Sequence, residues 1–359
     1  MRKSINLSGY ILEAFVLYIA AAMIISPTKS MEGAFNALKL CAETVIPSLF
    51  PFIFCGNMFI ALGAARILSK YLSNIMHPLF GVSGSGALAF VLGIVSGYPV
   101  GASCAVSLYN SGECSKAEAE QLIAFCNNSG PMFIIGAVGT GMFQNPKIGF
   151  FLYIIHVFSA ILCGMIFSFR SKKHKTNLLP PSKDAVDIKN AAPDIGAAIG
   201  KSIDTILAIC GFIVIFAVFK SVIPECEIKK YIYCILEITG GIKELVKGAD
   251  YTVLPLVSFF IALSGISVFT QVASIIIPAG LSPLPYAAGK LTQAVIAFLL
   301  TFAAIKITPY PVPTVALNSS WLLPSQQTLI ADALYLISVS AITVTALITV
   351  IKIVKTYCK

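Results

Sequence analysis

Long apolar runs broken by short polar or Gly/Pro-rich stretches set the rhythm of this 359-residue chain. A helix needs about 20 apolar residues to cross the hydrocarbon of a bilayer. Tyr10 to Ile25 with its flanks, Ile46 to Leu62, Ile148 to Ser168, Ile203 to Val222, Pro285 to Ile305 and Leu329 to Val350 all read as crossings. Arg2 and Lys3 resemble a signal-peptide start, but no small-residue cleavage site follows cleanly, so the first run is predicted to remain as a helix. Ala34 to Glu43 is amphipathic and predicted to lie at the interface; Ala191 to Ser202 and Lys229 to Val246 share that one-sided pattern.

Three further segments carry too many interruptions for a straight helix. In Gly84 to Tyr109, the stretch Ser96 to Gly101 holds two Gly and a Pro, leaving about half a span on each side. A re-entrant hairpin fits, its tip near mid-membrane and facing protein or water, because lipid cannot satisfy bare backbone groups. Val253 to Pro278 reads as a second hairpin with Ser264-Gly265-Ile266-Ser267 at its tip. Lys116 to Met142 reads as a discontinuous helix that stops at Asn127-Asn128-Ser129-Gly130-Pro131 and resumes at Met132. The first hairpin returns 168 positions later: Ser96-Gly97 pairs with Ser264-Gly265, Gly112 with Gly280, and Val100, Ala105 and Ala119 with Val268, Ala273 and Ala287. A doubled, Gly-interrupted hydrophobic unit points to a transporter whose site lies where the repeats meet.

The expected fold is an all-α polytopic membrane protein of inverted repeats, with two re-entrant helical hairpins and broken helices. Residues 1–33 are an N-terminal transmembrane helix and 34–170 the first repeat, with hairpin 84–109. Residues 171–193 are a polar cytoplasmic linker, and 194–359 the second repeat, with hairpin 253–278. Seven crossings and two hairpins give each unit an odd number of crossings, which inverts successive units. Basic residues at 2–3 and 170–175 place the N-terminus and the linker in the cytoplasm. The same count puts Lys352, Lys355 and Lys359 outside, against that rule, so the side of the C-terminus stays open.

Composition sharpens the class. Hydrophobic residues make up 57% of the chain and charged residues 11%, where a soluble chain carries about 25% charged residues. The net charge of +9 is mostly juxtamembrane, where it reports orientation and lipid headgroups. The basic run lacks interleaved aromatics, which argues against a nucleic-acid partner. The ten cysteines form no C-x-x-C and sit mostly in apolar runs, as small hydrophobes rather than disulfides or zinc ligands. There is no Walker loop or Ser–His nucleophile pattern, and Glu118 and Glu120 do not share a helix face, so neither an enzyme nor a cofactor is expected.

Ser96-Gly97-Tyr98-Pro99-Val100-Gly101-Ala102, followed by Phe125-Cys126-Asn127-Asn128-Ser129-Gly130-Pro131-Met132-Phe133-Ile134, resembles the YlbJ-like sporulation integral membrane proteins. These belong to the nucleoside-recognition, or Gate, domain superfamily, related to concentrative nucleoside transporters. The similarity runs from about residue 35 to 350, the second half matching mainly in pattern. It implies a polytopic transporter acting in endospore formation, moving dipicolinate across the outer forespore membrane toward the spore core. Nucleoside transporters carry polar and acidic groups for ribose on their second hairpin. Here that tip offers Ser264, Ser267, Thr270 and Gln271, a departure that weighs against nucleosides.

A helix N-terminus carries roughly +0.5 charge and free N–H donors, a ready anion site. A rigid aromatic dianion such as dipicolinate could accept from the N–H groups of Gly101, Ala102 and Ser103 and from Ser or Asn side chains. The substrate-binding set is read as Ser96, Gly97, Tyr98, Gly101, Ser103, Asn127, Asn128 and Ser129 in the first half. Its second-half members are Ser264, Gly265, Ser267, Thr270, Gln271, Lys290 and Gln293. Each polar member could equally be a helix cap or turn residue. Lys290 meets a substrate carboxylate or snorkels to a headgroup. Glu237 binds a coupling ion or ends a helix at the interface. Lys201 and Asp204 suit a structural ion pair. His156 reads as a packed neutral histidine in preference to a proton relay. Tyr98 stacks on a ligand or caps the gate, and Trp321 anchors at an interface. The expected partners are a small-molecule anion and the lipid bilayer, with no nucleic acid, and a homo-oligomer is compatible. A nucleoside transporter and a non-transporting membrane scaffold in spore assembly stay as alternatives.

Overall fold

The computed structural model describes residues 7–62, 64–172, 194–223, 229–247 and 251–307. All regular elements among them are helical. Most of the linker 171–193, the Pro-rich stretch, Trp321, the last crossing Leu329 to Val350 and the basic tail lie outside the described residues.

Helix α1 (Leu7–Ile25) is the apolar first run. α2 (Pro27–Leu40) passes through a π-helical turn, Cys41–Val45, into α3 (Ile46–Ala61), so the interface segment and second crossing join without a break. Pro27 is tolerated at the start of α2 because the first turn of a helix uses no N–H at that position. α4 (Ala64–Phe80) is absent from the sequence reading. It buries Met76 and Phe80 while Tyr71, Ile75 and Leu79 stay exposed, so its apolar content is too one-sided to read as a span.

α5 (Gly86–Val95) and α6 (Val100–Asn110) pack on each other around Ser96–Pro99. Gly97 turns the chain with φ +90, and the Tyr98–Pro99 peptide is cis. Gly93 and Gly101 bring the two backbones together beneath α7 (Lys116–Cys126): a Cβ on either would collide with the Cys126 carbonyl. A capping box at Ser115 and Glu118 starts α7, and the same Glu118 carboxylate accepts from Ser83 N at 2.8 Å, pinning the turn before α5. α7 stops at an extended Asn127, the chain stays out of helix to Gly130, and a π-helix, Met132–Met142, resumes it. α8 (Pro146–Lys172) follows.

The second half departs from expectation in three places. α9 (Ile195–Ser221) is one helix, with no step between the amphipathic segment and the crossing; Asp194 caps it by accepting from Ala197 N. The stretch 229–246 is two helices, α10 (Lys229–Leu236) and α11 (Ile238–Val246), folded back on each other at Glu237. Gly241 permits that fold, since a Cβ there would strike the backbone of Cys234. The stretch 253–278 is not a hairpin. α12 (Leu254–Leu263) packs on α14 (Pro283–Ile307), whereas α13 (Gly265–Ile276) packs on α6, α9 and α10. Ser264 (φ 70) and Gly265 (φ 75) interrupt the helix, yet it continues across as one broken crossing.

The element order of folded-back pair, broken helix and long helix therefore runs once over α5–α8 and again over α10–α14. The 168-residue offset pairs a hairpin tip with the middle of a broken helix, so Ser96-Gly97 and Ser264-Gly265 are not structural equivalents.

Among the described residues, four helical stretches are long and apolar enough to cross a membrane: Pro146–Ser168, Ile195–Ser221, Tyr251–Ile276 and Pro283–Ile307. The third is 83% buried against 28–33% for the others, which makes the broken crossing the centre of the bundle. Phe150, Ile154 and Phe158 on α8, and Val295 and Leu299 on α14, face outward as a lipid-contacting surface requires. One core cluster gathers Phe80, Leu122, Phe125, Val272 and Tyr286, and a second gathers Ile134, Leu152, Phe260 and Ile261. Tyr98 packs against both.

Gly93→Ala should lower the thermal midpoint of the detergent-solubilised protein, with a loss of about 1–3 kcal/mol as for other overpacked cores. Gly200→Ala, with open space around it, should leave the midpoint unchanged or raised. Fluorescence-detected gel filtration after heating reads both.

Candidate functional site

Inside a bilayer, a helix that stops must find partners for its free backbone groups within the protein. Both breaks do so against a hairpin tip. A Cβ on Gly97 would lie 2.8 Å from Gly130 N, so the first tip sits directly on the first break. A Cβ on Gly265 would lie 3.1 Å from the Ile235 carbonyl, so the second break sits on the α10–α11 tip. Ser129 Oγ donates to the Ile261 carbonyl at 3.3 Å, joining one break to the other.

A buried polar network fills the junction. Lys290 is only 2% exposed, and its Nζ donates to the Asn127 carbonyl at 2.9 Å and to Gln293 Oε1 at 2.7 Å. Gln293 Nε2 donates to Asn128 Oδ1 at 2.8 Å and to the His156 carbonyl at 3.3 Å. Asn128 Nδ2 donates to the Phe125 carbonyl at 2.8 Å, closing the end of α7. Asn127 Nδ2 donates to Tyr286 Oη at 3.2 Å, and the Tyr286 ring stacks on Phe269 of α13. Ser129 N donates to His156 Nε2 at 3.0 Å. A ring nitrogen that accepts carries no proton, so the neutral imidazole is in its Nδ1–H form. Among the described residues, three buried polar atoms around this network have no partner: Ser96 Oγ, Asn127 Oδ1 and His156 Nδ1.

Among the described residues, no carboxylate lies within ion-pair distance of Lys290. Glu118 is committed to Ser83 and Ser115, and Glu120 accepts from Ser282 N at the head of α14. Glu237 pairs with Lys220 at 3.1 Å. Lys290 instead faces the C-terminal end of α7, where the helix dipole presents roughly half a negative charge.

The protein is similar to the sporulation integral membrane protein YlbJ of Bacillus subtilis (strain 168), 29% identical over 362 residues that cover 88% of each chain. No family model matches the chain, and no solved structure does. Long apolar helices and this relative together make the chain an integral membrane protein.

At this junction, Ser96, Gly97, Asn127, Asn128, Ser129, Lys290 and Gln293 come together from the residues singled out in the sequence. Lys290 does not snorkel; eight residues into α14 it already lies under α7 and α8. Gly101 is spent on close packing, and the Ser103 N–H is used inside α6, donating to the Pro99 carbonyl at 2.9 Å. Tyr98 lies half-buried beside Ser129 and Glu237, where the two hairpin tips approach.

The remaining residues lie elsewhere. Ser264 turns back on the carbonyls of Ile261 and Ala262. Ser267, Thr270 and Gln271 bond within α13, and Gln271 looks toward α9. Glu237 is the N-cap of α11, accepting from Thr239 N and Gly240 N while it holds Lys220, so its lone pairs are occupied by protein groups. Lys201 does not pair with Asp204; its Nζ reaches Ser107 Oγ on α6 at 2.7 Å. His156 is the packed histidine expected, but the sequence did not place it in the site, and Tyr286 was missed. Both lie on the long helices α8 and α14 at the depth of the breaks, a placement visible only after packing.

Gln293→Leu should cost about 1.5–3 kcal/mol, the worth of hydrogen bonds to a charged group. The loss should be much smaller in a Lys290→Met background, because the amide then has no cation to hold. Unfolding free energies of the four proteins, measured in one detergent, give the coupling.

Proposed function

We propose that this chain is a transporter or facilitator of a small aromatic anion, which it binds at the junction of its two broken helices. The observation that carries this reading is Lys290: a buried lysine whose polar partners are a backbone carbonyl and a neutral amide. An ammonium out of water is costly unless an opposite charge accompanies it. Ionisable groups at this depth face pathways and substrates. A carboxylate bound beside Lys290 supplies the missing charge, and the unpartnered Ser96 hydroxyl and His156 Nδ1–H supply donors around it.

Dipicolinate suits the site as a substrate. It has two carboxylates for the cation and the donors, and an aromatic ring for Tyr98 and Tyr286. The family resemblance implies that substrate, and the relative's name ties that protein to sporulation. The outer forespore membrane is the location this reading assigns. A nucleoside offers no negative charge and leaves Lys290 unpaired.

Proteoliposomes holding the wild-type protein should accumulate radiolabelled dipicolinate above protein-free vesicles, and excess uridine should leave the rate unchanged. Lys290→Gln should lower uptake at least about tenfold, the equivalent of about 1.4 kcal/mol. Wild-type uptake equal to that of protein-free vesicles removes the transport reading in favour of a scaffold. Inhibition by uridine at matching concentrations moves the substrate class to nucleosides.

A further inference from the structure

A second set of polar groups lies between α9 and the α3–α6–α13 side of the bundle, with Ser103, Ser107, Ser202 and Gln271 buried, Asn57 and Thr205 half-buried, and Lys201 and Ser274 exposed. Lys201 enters α9 near its start, yet its ammonium turns inward to Ser107 Oγ, a hydroxyl on a residue only 6% exposed. Beside it, Asn57 Nδ2 of α3 donates to Ser202 Oγ of α9 at 3.0 Å. One turn back along α6, Ser103 lines a small cavity with Asn57 and Cys104. A second small cavity lies between Thr205 of α9 and Gln271 and Ser274 of α13. The Ser103 and Gln271 that the sequence singled out therefore line this seam and not the Lys290 junction.

The seam has a cation at each end. α6 carries Ser107 to Lys201 and packs at Gly101 against the Cys126 carbonyl, next to the Asn127 carbonyl that accepts from Lys290. Lys201, like Lys290, has no carboxylate within ion-pair distance among the described residues. Two lysines without an ion-pair carboxylate among the described residues thus flank a set of hydroxyls and amides on α3, α6, α9 and α13, partly buried between the helices. Hydroxyl and amide groups along a route can replace water around a moving anion.

We propose that this seam is the approach route of the anion, with Lys201 its outer binding station and Lys290 its inner one. The inference rests on the transport reading above. The ligand chemistry at Lys201 is a carboxylate or phosphate oxygen, which either the substrate or an anionic lipid headgroup could provide.

Kinetics of dipicolinate uptake in proteoliposomes test it, in phosphatidylcholine alone and in phosphatidylcholine with phosphatidylglycerol. Lys201→Gln should raise KM about tenfold with kcat nearly unchanged, the pattern expected when a charge-assisted contact outside the chemistry of passage is lost. Lys201→Arg should restore most of it, and Lys243→Gln, an exposed lysine on α11, should match wild type. In a parallel arm, Ser103→Cys is treated with a negatively charged thiosulfonate and the modified peptide is identified by mass spectrometry; labelling should occur and be slowed by dipicolinate. Wild-type KM in Lys201→Gln together with an unlabelled Cys at 103 overturns the route while leaving transport by Lys290 intact. A KM defect seen only with phosphatidylglycerol present assigns Lys201 to lipid and overturns it equally. Absence of uptake by the wild-type protein removes the transport reading and the route together.

Discussion

Backbone groups stranded in a bilayer cost several kcal/mol each unless the protein itself supplies partners. Every distinctive feature of this bundle follows from two places where that demand is met at close range. The chain leaves the helix from Asn127 to Gly130 and takes positive φ at Ser264–Gly265, and each break is covered by a folded-back helix pair. Coverage requires backbones within van der Waals distance, which explains Gly97 against Gly130 and Gly265 against the carbonyl of Ile235. Gly289 on α14, where a Cβ would collide with the Ala124 backbone, brings the long helix equally close to α7. The glycines are contact surfaces here, and Gly97 and Gly265 also supply the positive φ that the turns need.

Once the breaks are held, their polar side chains have nowhere to go but toward each other. Asn128, Gln293, His156 and Lys290 then form one network that ties α7, α8 and α14. The network is nearly complete in hydrogen bonds and incomplete in charge. That imbalance separates Lys290 from Glu118, Glu120 and Glu237. Those three carboxylates accept from backbone N–H groups at helix starts, and Glu237 adds an ion pair with Lys220. They are explained by structure alone; the lysine is not. Polar groups that serve only packing are expected to be satisfied, so the open valences at Ser96, Asn127 and His156 mark the same junction.

Membrane class, helical content, the break in the helix at Asn127–Pro131 and the break between two helices at Ser96–Pro99 were all legible in the sequence. The first two follow from hydropathy, which depends on composition over a window. The last two follow from Gly, Pro and Asn at the centre of an apolar run, where local backbone chemistry forbids a continuous helix whatever surrounds it. The same rule could say that Ser264-Gly265 interrupts a helix. It could not say whether the chain turns back or goes on, because that depends on what packs against each side: α14 against α12, and α6 and α9 against α13.

The site divides along the same line. Residue types at the breaks announced Asn127, Asn128 and Ser129, since polar groups are tolerated in hydrocarbon only where they find partners. Local sequence therefore determined where the helices fail and which polar groups are available there. Tertiary structure alone decided that Lys290 is sealed in rather than snorkelling, that Glu237 is a cap, that Lys201 reaches Ser107 and not Asp204, and that His156 and Tyr286 join the junction. Each of those facts concerns residues brought together by packing from distant or separately oriented helices, and spacing along the chain carries no record of that distance.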